Sequence, residues 1–152
     1  IREAAYDLLL RTAHESTHTP VRQKAVVAAL DAWSDKDTQI IAAMASALKN
    51  LPPSDFNVTA RNKLMSLIRK MPPYYAQLVK LSAYVQVTEA IPLLQNHLYT
   101  QQVKSKSDQW AIYLALCRLG DEKAMDVVMN RVKKVGVNDD VVYEVFPDLV
   151  YT

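Results

Sequence analysis

Three observations predict an all-α protein. Glycine is scarce, with Gly 2 among 152 residues, whereas hairpin turns, phosphate loops and dinucleotide fingerprints need glycine where φ is positive or backbone approaches a ligand. Apolar residues recur at three- and four-residue steps in segment after segment, the period of an amphipathic helix. No stretch shows a two-residue alternation bounded by turns. With 50% hydrophobic and 22% charged residues, residues 1–152 suffice for a single domain with a buried core.

Nine helices are expected. The first runs from about Arg2 to His14 on Ala5, Leu8 and Leu9. The second opens at Thr19-Pro20, a threonine cap before a proline whose missing N–H costs nothing in the first turn. Its stripe is Val26, Ala29, Leu30 and Trp33. The third begins near Asp35 to Asp37, carries Ile40, Ile41, Met44 and Leu48, and ends at Pro52-Pro53, because proline disfavours helix in the residue before it. The fourth, Asp55 to Met71, uses Leu64, Leu67, Ile68 and Met71 and stops at Pro72-Pro73. The fifth carries Leu78, Leu81 and Val85, and Thr88 caps the sixth, with Pro92 in its first turn and Ile91, Leu94 and Leu98 aligned. Lys104 to Ser107 reads as a loop, followed by a seventh helix on Trp110, Leu114 and Cys117. The eighth starts at Asp121, carries Met125, Val128, Val132 and Val135, and closes at Gly136, the residue type suited to a left-handed C-terminal cap. Asn138-Asp139-Asp140 opens the ninth, whose Val141, Val145, Phe146 and Leu149 keep helical spacing through Pro147.

The bulk charge excludes little. A formal net charge of +2 gives no general sign of a nucleic-acid or membrane-surface protein. No run approaches the roughly 18 apolar residues of a membrane span, so no membrane partner is expected. The chain opens on Ile1 and stops at Tyr151-Thr152 inside an apolar pattern, which predicts a fragment of something longer. The lone Cys117 cannot form an intramolecular disulfide; that slightly favours a reducing compartment such as the cytoplasm, without excluding an exported protein that needs none. Its apolar helix and lack of a histidine nearby in sequence read as a buried small hydrophobe.

His14-Glu15-Ser16-Thr17-His18 matches H-E-x-x-H, a spacing that puts two imidazoles on one helix face for zinc. Ser16, Thr17, Thr19 and Pro20, however, are the vocabulary of one helix ending and another beginning. A polar inter-helix loop is expected there, with no metal and no cofactor. Trp33 and Trp110 fall on apolar stripes and read as core rather than stacking platforms. Asn57-Val58-Thr59 fits a glycosylation sequon, which matters only in a secreted eukaryotic chain.

The helices repeat. Val87-Thr88-Glu89-Ala90-Ile91-Pro92-Leu93-Leu94 and Leu119-Gly120-Asp121-Glu122-Lys123-Ala124-Met125-Asp126 are similar helix junctions roughly 34 residues apart. The odd-numbered helices begin near Arg2, Asp35, Tyr74, Ser107 and Asp139, spaced by roughly 32 to 39 residues. Trp110 to Ala124, with its Ala/Leu-rich helix, Gly120-Asp121 turn and amphipathic successor, resembles the HEAT repeat family. That resemblance covers the whole chain, although the Pro52-Pro53 and Pro72-Pro73 turns depart from the glycine-acid pattern. It implies a right-handed α-α superhelix of HEAT or armadillo type, about four and a half antiparallel helix pairs, and a role as a scaffold or extended binding surface.

The even-numbered helices and their ends carry a surplus of Lys and Arg, the odd-numbered ones a surplus of Asp and Glu. In HEAT-like arrays the second helix of each pair lines the concave face, so the resemblance and this partition together imply a basic groove. Its expected residues are Arg61, Lys63, Arg69, Lys70, Arg131 and Lys134. Helix-dipole placement accounts for Arg69, Lys70, Lys133 and Lys134 without any ligand. The expected function is non-catalytic: binding an acidic protein or peptide. The alternative is nucleic-acid binding or repair, since one alkylpurine glycosylase family is built from HEAT-like repeats; no catalytic constellation of that family can be placed here residue by residue. A lyase of phycobilin type rests on repeat similarity alone.

Overall fold

A computed structural model describes residues 2–135. Over these it is all-helical: α1 (Arg2–Glu15), α2 (Thr19–Ala29), α3 (Thr38–Leu48), α4 (Val58–Lys70), α5 (Tyr75–Tyr84), α6 (Ala90–Tyr99), α7 (Lys106–Arg118) and α8 (Glu122–Val135), with 3-10 turns at Leu30–Ser34 and Pro53–Asp55. The expected ninth helix and the Gly136 cap lie outside the described residues. No described helix is long and apolar enough to cross a membrane.

The helix starts follow side-chain chemistry at most junctions. Asp37 accepts from Gln39 N at the head of α3, Asn57 from Ala60 N at α4, and Ser105 from Asp108 N at α7. Asp121 Oδ1 accepts from Ala124 N at 3.1 Å at the head of α8. Two expected caps differ. The residue before α2 is His18, with no side-chain cap bond; Thr19 is already helical and its Oγ1 accepts from Arg22 Nη2 instead. Before α6, Glu89 sits in helical conformation with no side-chain bond, and the turn closes through Ala90 N to Val87 O and Ile91 N to Thr88 O. Asp55 does not open α4 but closes the Pro53–Asp55 turn.

The left-handed conformation closes α4, α5, α6 and α7, with glycine in only one of the four, and Tyr74 adopts it just before α5. Met71, Tyr74, Gln86 and Gln101 have φ of 48°, 59°, 61° and 56°, and Gly120 has 97°. Three of these repeat one motif, with the paired backbone bonds of a Schellman cap. Gln86 N and Val87 N donate to Ala83 O and Ser82 O, Gln101 N and Gln102 N to Leu98 O and His97 O, and Gly120 N and Asp121 N to Cys117 O and Leu116 O.

The chain divides between Leu81 and Ser82 into two compact units. In the first, α1 packs on α2, α1 also on α3, and α2 also on α4. Fully buried Val26, Leu30, Ile41, Leu48, Leu64 and Ile68 supply much of its core, each such side chain contributing about 1.5–3 kcal/mol of burial. In the second, α7 packs on both α6 and α8, with Leu94, Ile112, Leu116 and Val128 buried. Pro20 and Pro92 both fall in first turns, where no intrahelical N–H is lost.

Candidate functional site

The basic residues of the even-numbered helices divide into two kinds. Arg61 and Lys63 are two positions apart, about 200° around a helix, and so leave α4 on opposite flanks. Arg61 is half-buried and its Nε donates to Phe56 O at 3.2 Å. Lys63 Nζ donates to Val27 O at 3.2 Å and pairs with the Asp31 carboxylate. It thereby meets a carbonyl in the last turn of α2, where a cation is favoured by the helix dipole. Arg69 and Lys70, in the last turn of α4, and Lys134, in that of α8, are exposed. These three enter no ion pair among the described residues. Arg131 lies across the face of Trp110, 4.4 Å from the ring centroid, close enough for a cation–π attraction. Arg61, Lys63, Arg69 and Lys70 belong to the first unit and Arg131 and Lys134 to the second.

A smaller polar cleft of about 300 Å³ in the first unit is bounded by His14, Ser16, Arg22, Asn50, Ser54 and Asp55. Asp55 is 2% exposed, and Arg22 Nε donates to its Oδ2 at 3.1 Å. Arg22 Nη1 also donates to Ser16 O at 2.8 Å. The H-E-x-x-H spacing breaks at this place: His14 is in the last turn of α1 while His18 precedes α2. The two imidazoles therefore do not share a helix face, and the segment is the expected polar turn. Among the described residues no cluster of three or more His, Cys, Asp or Glu could hold a metal ion.

Cys117 is buried in α7. Burial, with Asp121 adding to it, pushes its thiol up to about 12, so it is protonated at neutral pH and is a poor nucleophile. Trp33 is buried, as expected of a core residue, and Trp110 is half-buried beneath Arg131. Both indole N–H groups are buried without a hydrogen-bond partner.

Composition did not single out the long-range ion pairs of the first unit. Arg2 pairs with Asp35, Arg22 with Asp55, and Lys63 with Asp31, across 33, 33 and 32 residues of sequence. The signal available for them was opposite charge at a nearly constant separation along the sequence. Comparison with protein-family models, curated proteins and solved structures finds no match to this chain.

Proposed function

We propose that the chain is a stretch of HEAT-type α-solenoid that acts as a non-catalytic binding module for an acidic protein or peptide segment. The observation that carries this reading is the set of three ion pairs at 32–33 residue separation. All three join the α1–α2 stretch to the α3–α4 stretch, the kind of junction a stacked array makes between neighbouring helix pairs. The packing of α1 on α3 and of α2 on α4 supports the same stacking of first helix on first and second on second.

The binding half of the reading rests on charge left over after the fold is held together. Lys63 is engaged with Asp31 and Val27, and Arg61 with Phe56, so on α4 the cations available to a partner are Arg69 and Lys70; α8 offers Lys134 beside Arg131. Solenoid surfaces bind extended partners through many modest contacts rather than one deep pocket. The test is an array of equal-length acidic, neutral and basic peptides probed with the wild-type chain and with the triple variant R69E/K70E/K134E. Selective retention on acidic peptides, lost in the variant, is the expected result. Equal retention across the array, or retention unaffected by charge reversal, overturns the reading.

A further inference from the structure

The second unit carries a groove of about 470 Å³ where α6 ends and α7 begins, lined by Leu98, Gln101, Val103, Lys104, Gln109 and Tyr113. That volume lies within the range of sites that take small ligands or short segments. Leu98 and Val103 lie buried at its base and Tyr113 is half-buried beside them, so the surface it exposes is more polar than apolar, with a small apolar strip. Its rim is polar. Gln109 Nε2 donates to Val103 O at 2.8 Å, which fixes that side chain and leaves Oε1 as an acceptor. Lys104 is exposed and enters no ion pair among the described residues. Asp108, the acid in the first turn of α7, is not among the lining residues.

Gln101 is the informative member. It occupies the left-handed position of a Schellman cap, where glycine is preferred because a Cβ costs about 1–2 kcal/mol. Gln86 occupies the same position after α5, and there the side chain has local work: its Nε2 donates to Ala83 O at 3.2 Å. The Gln101 side chain has no hydrogen-bond partner among the described residues. A strained residue whose amide the fold does not use, set at the edge of a groove, is the pattern of a residue kept for contact with something else.

We infer that this groove binds a short acidic-apolar segment of a partner protein. An Asp or Glu carboxylate meets Lys104, an adjacent apolar side chain lies on Leu98, Val103 and Tyr113, and the segment's polar groups meet the Gln101 amide and Gln109 Oε1. The choice of occupant follows from charge and surface: one unpaired cation, amide groups able to meet peptide N–H and C=O, and a small apolar strip between them. This inference rests on the reading of the chain as a binder of acidic segments, and adds a location and a side-chain rule that the cations of α4 and α8 do not supply.

The test is a titration of the uniformly ¹⁵N-labelled chain with three acetylated, amidated tetrapeptides: Glu-Leu-Phe-Glu, Gln-Leu-Phe-Gln and Lys-Leu-Phe-Lys. The acidic peptide is expected to shift amides of residues 98–113, with the neutral peptide weaker and the basic one inert. Q101G is expected to raise the melting temperature while weakening acidic-peptide binding by about three- to tenfold, the worth of one net hydrogen bond. Q86G, at the matched cap, leaves binding unchanged. K104E abolishes the preference for the acidic peptide. Shifts near Arg69, Lys70 and Lys134 with none in the groove overturn this inference and leave the broader reading standing. An absence of shifts anywhere at millimolar peptide overturns both. Unchanged binding in Q101G and K104E overturns the groove assignment alone.

Discussion

Replacing Arg22 by Met tests the long-range ion pairs where their effect is largest. Asp55 is 2% exposed, and the Arg22 side chain retains 23% exposure while donating to Asp55, Ser16 O and Thr19 Oγ1. Removing one partner of a fully buried pair costs about 3–5 kcal/mol, because a charge is left uncompensated. Partial solvent access to Arg22 lowers this, so R22M is expected to destabilise the first unit by about 2–3 kcal/mol. D55N keeps an acceptor oxygen and loses only the charge assistance, about 1–2 kcal/mol. The double variant R22M/D55N no longer buries a lone carboxylate, and the cycle should show a coupling of about 1–3 kcal/mol. In the companion pair Arg2 is 65% and the Asp35 side chain 5% exposed, but Asp35 Oδ1 also accepts from Asp37 N, so R2A should cost about 1 kcal/mol, less than R22M. Urea unfolding followed by far-ultraviolet circular dichroism and Trp33 fluorescence, with W110F to isolate that signal, gives all four numbers. Equal effects of R22M and R2A, or a cycle that closes additively, would refute the reasoning.

Further outcomes follow from burial and backbone geometry. Cys117, with its thiol raised to about 12, should react with iodoacetamide at pH 8 only at the rate of unfolding; labelling at the speed of a free thiol contradicts its placement. Because the folded form holds that proton more tightly than the unfolded one, stability should fall as pH rises from about 9 toward 12, and C117A should remove that component. Burial lowers the His97 pKa, so the unfolded state takes up its proton first; stability should decline as pH drops below about 6.5, and H97L should flatten the dependence between pH 5 and 6.5. At Gly120, a Cβ meets nothing within 4 Å but φ is +97°, so G120A should cost about 1–2 kcal/mol through backbone strain alone, read as a lowered melting temperature.

Periodicity and punctuation carried much of this architecture. Pro20, Pro52, Pro53, Pro72 and Pro73 mark helix starts and ends, and Asp37, Ser105 and Asp121 cap as their side chains allow. Where a cap was misplaced, at Thr19 and Thr88, a competing partner or a backbone turn had taken over: Thr19 receives Arg22, and the α6 turn closes without a side chain. The scarcity of glycine pointed correctly away from sheet, but it concealed the caps, because Met71, Gln86 and Gln101 adopt left-handed φ in glycine's usual place. The candidate site was less legible. Counting charges by helix treats Arg61 and Lys63 alike with Arg69 and Lys70, whereas the 100° step per residue places Arg61 and Lys63 on opposite flanks and tertiary contacts occupy both. The α6–α7 groove gathers side chains from a helix end, a loop and a helix start, a combination with no period to reveal it.

The most direct test of the account is a paired equilibrium titration at 50 and 200 mM salt of an Asp/Glu-rich peptide and a duplex DNA of equal charge, using the wild-type chain and R69E/K70E/K134E. Binding of the peptide by wild type, weakened by charge reversal and accompanied by no duplex binding, is the predicted result. Duplex binding whose affinity falls steeply with salt, as released counterions require, together with indifference to the acidic peptide, would contradict it.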